Sequence, residues 1–214
     1  MGKEIDLKKG EQSRHVNKAL KAISEGYIIA IPLEHSYAFA CDAFKHDAVR
    51  AMHVLRGDPL FTAAQVLVGS TKTAQGVVRE ITPEIGALMK KFWPGMLSMN
   101  LRPQTGLTWD LGDANQLDRV SIRVPRSKFA QALVAGSGPL AVASAVRVGR
   151  PIPKALSDIL VLDSDLALQF NYGSLRKGPI TTVLEADETG VQVIRVGAIS
   201  LAQIQSVAPG ATAI

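Results

Sequence analysis

The hydrophobic positions of this chain recur with two periods, and they predict helices that alternate with strands. Val16, Leu20 and Ile23 stand at helical spacing and predict a helix over residues 14–24. Similar spacing predicts further helices over residues 46–57, 82–95, 128–138 and 200–207. Short apolar or alternating runs predict strands over residues 27–32, 63–70, 96–103, 119–125, 139–145, 180–186 and 191–197.

The order of these elements predicts a single α/β domain. Strands and helices alternate at first, and two consecutive strands near the end form a hairpin around residues 187–190. This order is typical of a twisted sheet of mixed parallel and antiparallel strands with flanking helices. We expect the domain to cover residues 14–207, with an N-terminal extension at 1–13 and a frayed C-terminal tail at 208–214.

The composition narrows the class of protein. The chain has 214 residues, of which 47% are hydrophobic and 20% charged, so it can fill a core and does not resemble a disordered chain. Its apolar runs are too short for a bilayer, and its polar N-terminus does not look like a signal peptide. Cys41 is the single cysteine, which excludes a disulfide framework. We therefore expect a cytoplasmic protein with no membrane partner.

The charge leaves two interpretations open. A net charge of +5 suits a nucleotide, an RNA or another polyanion, but many small proteins are basic without such a partner. The arginines gather beside apolar runs, as Arg119, Arg123 and Arg126, and then as Arg147 and Arg150. Arg123 and Arg195 each end an apolar strand, where a buried arginine needs an anion. We therefore expect both to contact a ligand.

A dense polar cluster follows the first predicted strand, in the stretch "IPLEHSYAF". Buried strands rarely end in such a cluster unless something binds there, so Glu34 and His35 are candidate ligand contacts. The alternative is a solvated loop pair. Tyr37 is expected to pack in a pocket wall rather than to act as an acid. The cysteine nearby, Cys41, is expected to be a small core residue, since no activating base is identifiable.

Seven segments, taken in order, resemble the motifs of the YrdC/YciO family. They are "PLEHSYAF" (32–39), "RGDP" (56–59), "FWPGMLS" (92–98), "RVP" (123–125), "SAV" (144–146), "TTV" (181–183) and "RVG" (195–197). Each segment alone is a weak signal. Their order and spacing, over about residues 14–205, make the resemblance specific.

The resemblance implies a fold, a reaction and a set of ligands. The fold is a YrdC-like domain with a concave, basic cleft on one face of the sheet. The best-known members are threonylcarbamoyl-AMP synthases, which join L-threonine, bicarbonate and ATP in the modification of adenosine 37 of tRNA. Other members are described as binding double-stranded RNA or tRNA. ATP and Mg²⁺ are therefore the implied cofactors, and a nucleotide or structured RNA the implied partner.

The same resemblance assigns the site residues. In an adenylating site, cations near the triphosphate offset the charge of the transition state, and hydroxyls contact phosphate or substrate. The residues placed there are Arg56, Arg123, Ser144, Thr181 and Arg195, together with Glu34, His35 and Tyr37. No catalytic residue is assigned. His46 and His53 lie seven residues apart with no third ligand in sight, so no metal site is expected.

The chain also departs from the family pattern. Leu33 and His35 stand where the family has threonines, Asp58 replaces a cation, and Val146 replaces an asparagine. A carboxylate beside a triphosphate is unfavourable unless Mg²⁺ bridges the two. These departures resemble the YciO branch.

The resulting expectation is a protein that binds a nucleotide, double-stranded RNA or tRNA, with a degenerate synthase pocket. Two alternatives stay open: an active L-threonylcarbamoyladenylate synthase, and an acyl- or carbamoyl-transfer enzyme with another substrate.

Overall fold

The protein is built around one open sheet with helices on both faces. The computed structural model describes residues 3–116, 118–160 and 166–214. Within these ranges the sheet has eleven strands. They are β1 Lys3–Asp6, β2 Ile29–Pro32, β3 Tyr37–Asp42, β4 Gln65–Leu67, β5 Leu97–Leu101, β6 Val120–Arg123, β7 Leu140–Ser144, β8 Leu168–Asn171, β9 Thr182–Asp187, β10 Gly190–Arg195 and β11 Thr212–Ala213.

The strand order confirms the prediction of a mixed sheet. Across the sheet the strands run β1-β8-β2-β3-β7-β4-β6-β5-β9-β10-β11. β3 pairs antiparallel with both β2 and β7, whereas β4 pairs parallel with β6, and β5 parallel with β9. The predicted hairpin is also confirmed, since β9 and β10 pair antiparallel and Asp187 lies opposite Gly190.

Local sequence signals explain where the helices begin and end. The helices are α1 Gln12–Ser24, α2 His46–Arg56, α3 Thr71–Gln75, α4 Pro83–Phe92, α5 Lys128–Ser137 and α6 Leu201–Gln205. Gly57 ends α2 in the left-handed conformation, with φ 64°, which glycine adopts at little cost. The Thr82 hydroxyl accepts a hydrogen bond from Ile85 N at 3.3 Å and so caps α4, whose first residue is a proline.

Two hydrophobic clusters fill the two sides of the sheet. One contains Ala19 and Ile23 of α1 and Leu133 of α5, packed against strand residues such as Ile31 and Leu67. The larger cluster contains residues of α2 and α4 together with alternate strand residues. Helices α1 and α5 pack against each other and against β2. Polar residues that the strands contribute form the site described below.

The two ends of the chain differ from expectation. The expected N-terminal extension contains β1, which pairs with β8 from Lys3 to Asp6. The expectation of a frayed C-terminal tail is wrong, because Thr212 and Ala213 form β11 and pair with β10. Both strands lie at the edges of the sheet, where backbone pairing rather than an apolar pattern holds them. No helix in the described ranges is long and apolar enough to cross a membrane.

Candidate functional site

The polar segments of the chain converge on one cavity of about 460 Å³. Its wall includes residues 33–36, which connect β2 to β3, and Gln65 at the start of β4. The other contributors from the motif segments are Arg56, Asp58, Met96, Arg123, Ser144, Thr181 and Arg195. A cavity of this volume, with apolar walls and a few charged groups, is typical of a site for a small ligand.

An ion pair between Glu34 and Arg123 forms one wall of the cavity. Arg123 Nη1 donates to Glu34 Oε2 at 3.0 Å and to the carbonyl of Gly95 at 3.1 Å, and the arginine is 2% exposed. Glu34 Oε1 accepts a hydrogen bond from the backbone N–H of Arg126 at 2.6 Å. Burial raises the pKa of the Glu34 carboxyl, but Arg123 and the Arg126 N–H outweigh it and hold that pKa below its ordinary value.

Asp58 forms a second ion pair in the wall. Its Oδ2 atom accepts a hydrogen bond from Arg56 Nε at 2.8 Å and lies 2.7 Å from His53 Nδ1, and its side chain is 3% exposed. Burial opposes ionisation, but the hydrogen bonds from Arg56 and His53 hold the pKa of the Asp58 carboxyl below its ordinary value. The expectation of a carboxylate that opposes a bound triphosphate therefore needs correction, because this acid is neutralised by its neighbours.

Arg56 also fixes the end of β7. Its Nη1 atom donates to the carbonyl oxygens of Ser144 and Val146, at 3.0 Å for the latter. Arg56 thus holds the "SAV" segment against the end of α2 and lines the cavity itself. The Ser144 side chain lies at the cavity wall, whereas Val146 is buried and offers no polar group.

His35 contacts the loop that precedes β9. Its Nδ1 atom lies 3.2 Å from the carbonyl oxygen of Arg176, and its ring packs directly over Gly178. A side chain at Gly178 would overlap that ring, so the close approach needs a glycine. His35 thereby holds residues 177–180, which line the cavity, in place.

Arg195 and Thr181, which belong to the last two motif segments, form hydrogen bonds with each other. Arg195 Nη2 donates to Thr181 Oγ1 at 2.8 Å, and Arg195 Nε donates to the Thr181 carbonyl at 3.2 Å. Arg195 is exposed, so the premise that it ends its strand as a buried cation is wrong. Arg123 is buried as expected, and Glu34 supplies the anion that it needs.

The structure brings seven of the eight sequence-predicted site residues to the cavity, and Tyr37 is the exception. Those seven are Glu34, His35, Arg56, Arg123, Ser144, Thr181 and Arg195. Tyr37 is fully buried, and its hydroxyl donates to the Gly173 carbonyl at 2.8 Å and accepts from Tyr172 N at 2.9 Å. These bonds occupy the hydroxyl, so Tyr37 fixes the backbone near β8 and does not line the cavity.

The basic surface is less continuous than the arginine clusters suggest. Arg119 lies outside this cavity, where its Nη2 atom donates to Asp187 Oδ2 at 2.8 Å. That hydrogen bond, the largest effect on either group, raises the pKa of Arg119 and lowers the pKa of Asp187. Arg119 therefore stabilises the β9–β10 hairpin through a charge pair.

Sequence reasoning missed several polar residues of the cavity, among them Gln65, Lys154 and Lys177. Gln65 Nε2 donates to Ser98 Oγ at 2.8 Å, which links β4 to β5 across β6. Lys154 and Lys177 also line the cavity. Neither lysine belongs to a motif segment, so only their closeness in sequence to the "SAV" and "TTV" segments could have indicated them.

The described residues include no cluster that would hold a metal ion by several protein side chains alone. Among them, no group of three His, Cys, Asp or Glu side chains is placed to hold a metal ion. Glu34 and Asp58, the carboxylates that the described residues bring to the cavity, already bind arginines.

Comparison with known proteins places this cavity in context. The family model Sua5/YciO/YrdC, described as telomere recombination, matches residues 21–197. A putative threonylcarbamoyl-AMP synthase of Mycobacterium tuberculosis (strain CDC 1551 / Oshkosh) is 31% identical over 198 residues, which cover 92% of this chain and 90% of the relative.

Two solved structures share the fold. Sua5 of P. abyssi complexed with L-threonine superposes with a TM-score of 0.85 at 25% identity, covering 97% of this chain and 60% of that chain. The E. coli protein YciO superposes with a TM-score of 0.80 at 20% identity, covering 95% of this chain and 98% of that one. The chain thus spans about three fifths of the P. abyssi protein and nearly all of YciO.

Proposed function

Because the chain belongs to the Sua5/YciO/YrdC family, we propose that it is an L-threonylcarbamoyl-AMP synthase. The reaction joins ATP, L-threonine and bicarbonate, and yields threonylcarbamoyl-AMP, pyrophosphate and water. The N–C bond of the carbamate forms as a C–O bond of bicarbonate breaks and water leaves. A carboxylate oxygen of the carbamate then forms an O–P bond to the α-phosphorus of ATP, as the bond between that phosphorus and the leaving pyrophosphate breaks. The product would supply the modification of adenosine in tRNA.

The observation that carries this proposal is the convergence of the motif segments. All seven segments that resemble the family lie far apart in the sequence, and each contributes at least one residue to the wall of a single cavity. Other residues of the segments, such as Tyr37 and Val146, are buried and do not line the cavity. Motifs that served only to stabilise the fold would not be expected to meet at one cavity.

The charges of the wall suit an adenylation. Among the described residues, five cationic side chains and two carboxylates line the cavity, so it favours anionic ligands such as ATP, bicarbonate and pyrophosphate. Fixed cations stabilise the charge that develops on the leaving pyrophosphate, and they do so without reorganisation at the moment of reaction. The Ser144 and Thr181 hydroxyls can donate to phosphate oxygens from the same wall.

A second candidate function is favoured by two particular residues. Leu33 brings an apolar side chain to the cavity where the family carries a threonine, and Asp58 occupies the second cation position. These two changes favour a protein that binds a nucleotide, or structured RNA or tRNA, without carrying out the synthesis. Both functions use the same cavity, and they differ in whether threonine is consumed.

Pyrophosphate release distinguishes the two functions. The protein is incubated with ATP, Mg²⁺, L-threonine and bicarbonate, and the release of pyrophosphate is measured with each substrate omitted in turn. Release that needs both threonine and bicarbonate supports the synthase. Binding of ATP by calorimetry without any such release supports the second candidate.

Matched variants then link the activity to the cavity. Arg195→Gln alters the wall, and we expect it to lower kcat/KM by about tenfold or more. Arg14→Gln is the control, since Arg14 lies on α1 with its side chain 78% exposed and contributes nothing to the cavity. Equal activity in both variants would contradict the assignment of the cavity.

A further inference from the structure

The ion pairs of the cavity wall divide its cations into two groups. Arg123 binds Glu34, and Arg56 binds Asp58. Carboxylates of the protein itself therefore neutralise these two arginines. Arg123 Nη1 and Arg56 Nη1 also donate to backbone carbonyls. These two arginines therefore have reduced capacity to bind an additional anion.

The remaining cations are Lys154, Lys177 and Arg195. Within the described part of the chain, no carboxylate forms an ion pair with any of these three side chains. Asp158 attracts Lys154 over a longer distance, but its carboxylate is occupied by the backbone N–H groups of Lys154 and Ala155, at 2.9 and 3.0 Å. Counted over the residues that the structure describes, the wall thus carries three cations in excess.

The backbones that carry these cations are fixed by hydrogen bonds. The Lys154 carbonyl accepts a hydrogen bond from Leu175 N at 2.8 Å, which joins the two lysine-bearing segments. His35 contacts the carbonyl of Arg176, the residue before Lys177. Ala198 N donates to the Ile180 carbonyl at 2.8 Å, which ties the segment after Arg195 to the same loop. The three cations are therefore held on adjoining pieces of backbone.

We propose that Lys154, Lys177 and Arg195 form the site for the phosphate chain of the nucleotide. This inference rests on the proposed function and identifies which wall of the cavity holds the polyanion. A triphosphate carries several negative charges, and the three cations in excess can match most of them. The lysines act as mobile point charges, while Arg195 is oriented by its two bonds to Thr181.

The proposal also explains how the chain tolerates Asp58 in place of a family cation. Asp58 and Arg56 neutralise each other at one part of the wall. Lys154 and Lys177 lie outside the family motifs and restore positive charge at another part of the same wall. Among the described residues, the cavity therefore has an excess of positive charge despite the presence of Asp58.

Calorimetric titration with inorganic tripolyphosphate tests the site without threonine, bicarbonate or adenosine. We expect Lys154→Gln and Lys177→Gln each to weaken binding, and the double variant to weaken it by about tenfold or more, or about 1.4 kcal/mol. The control is Lys90→Gln, an exposed lysine of α4 outside the cavity, which should bind as wild type does. Thermal unfolding of each variant verifies that it is folded.

Two results would overturn the inference. One is the absence of tripolyphosphate binding to the wild-type protein at low salt. The other is unchanged binding in the double lysine variant together with loss of binding in Arg56→Gln.

The same experiments distinguish failure of this site from failure of the proposed function. Lysine-dependent tripolyphosphate binding without any synthase activity would refute the proposed function and keep this site. Synthase activity that survives in the double lysine variant with an unchanged KM for ATP would refute the site and keep the function.

Discussion

Asp58 Oδ2 lies 2.8 Å from Arg56 Nε, and the two side chains are 3% and 14% exposed. The acid that replaces a family cation is therefore the partner of the arginine two residues before it. His53 Nδ1 lies 2.7 Å from the same oxygen atom. This relationship changes the expected role of Asp58 from repelling a ligand to holding Arg56 in the cavity wall.

Replacing Asp58 should destabilise the protein. Asp58→Asn leaves Arg56 partly buried without its carboxylate, and removing one partner of a buried pair costs about 3 kcal/mol. Chemical denaturation at neutral pH measures this loss. Asp118→Asn is the control, because Asp118 is 81% exposed and lies 3.8 Å from Arg119, where an ion pair contributes about 0–1 kcal/mol. Similar losses in the two variants would contradict the role given to Asp58.

The same pair should make stability depend on pH. The folded-state pKa of Asp58 is lowered, so its stabilising effect is fully present above the unfolded-state value of about 3.9. That effect is lost as pH falls through the lower, folded-state pKa. We therefore expect the stability difference between wild type and Asp58→Asn to be constant from pH 7 to about pH 5, and to shrink below about pH 4. A difference that persists undiminished in acid would contradict the ion pair.

Glu34 should be needed to keep Arg123 buried. Glu34→Gln preserves the shape of the side chain but removes the charge that neutralises an arginine with 2% exposure. We expect a loss of about 3 kcal/mol, which for a chain of this size lowers the melting temperature by roughly 6 °C or more. Glu25→Gln is the control, since Glu25 lies 3.9 Å from Lys21 on the surface. Thermal scans in which both variants melt alike would argue against the pair.

The close approach of Gly178 to His35 should matter for anion binding. Gly178→Ala forces the ring or the loop to move, because the added Cβ would overlap the ring. The displaced loop carries Lys177, so we expect tripolyphosphate affinity to fall severalfold, while global stability changes by about 1 kcal/mol or less. Gly210→Ala, where a Cβ would meet nothing within 4 Å, should leave affinity unchanged. Equal affinity in the two variants would show that the loop does not position Lys177.

Leu33 should weaken the discrimination between amino acids. Its side chain gives the cavity apolar surface and cannot form a hydrogen bond with the hydroxyl of threonine. We expect pyrophosphate release to differ little between L-threonine and L-valine, and Leu33→Thr to raise the preference for threonine by about tenfold or more. Leu60→Thr is the control, because Leu60 is 87% exposed and lies outside the cavity. A strong preference for threonine in the wild type would contradict this role of Leu33.

Much of the fold could be predicted because it follows from local patterns. The hairpin of β9 and β10 followed from the turn at residues 187–190, and α2 ends at the glycine that the sequence indicated. The pairing of β1 was missed because its four residues, "KEID", show little apolar pattern at the edge of the sheet. β8 and β11 were missed for a related reason. Each forms by pairing with a strand that is distant from it in the sequence, β8 with β1 and β11 with β10.

The site could be predicted only in part. The motif segments identified seven cavity residues, because their order and spacing carry the information. The partners of those residues could not be found in the same way, since Glu34 and Arg123 are 89 positions apart and meet only in the folded chain. Tyr37 illustrates the reverse case, because its position in a motif did not reveal that its hydroxyl binds backbone near β8.

Detection of the product tests the central claim most directly. The protein is incubated with ATP, Mg²⁺, L-threonine and ¹³C-bicarbonate, and the quenched reaction is analysed by mass spectrometry. We predict threonylcarbamoyl-AMP carrying one ¹³C atom, formed by wild type and greatly reduced in Arg195→Gln. The contrary result is wild-type protein that binds ATP, yet forms no labelled adenylate over many hours at saturating substrates. That result would assign the cavity to binding without synthesis.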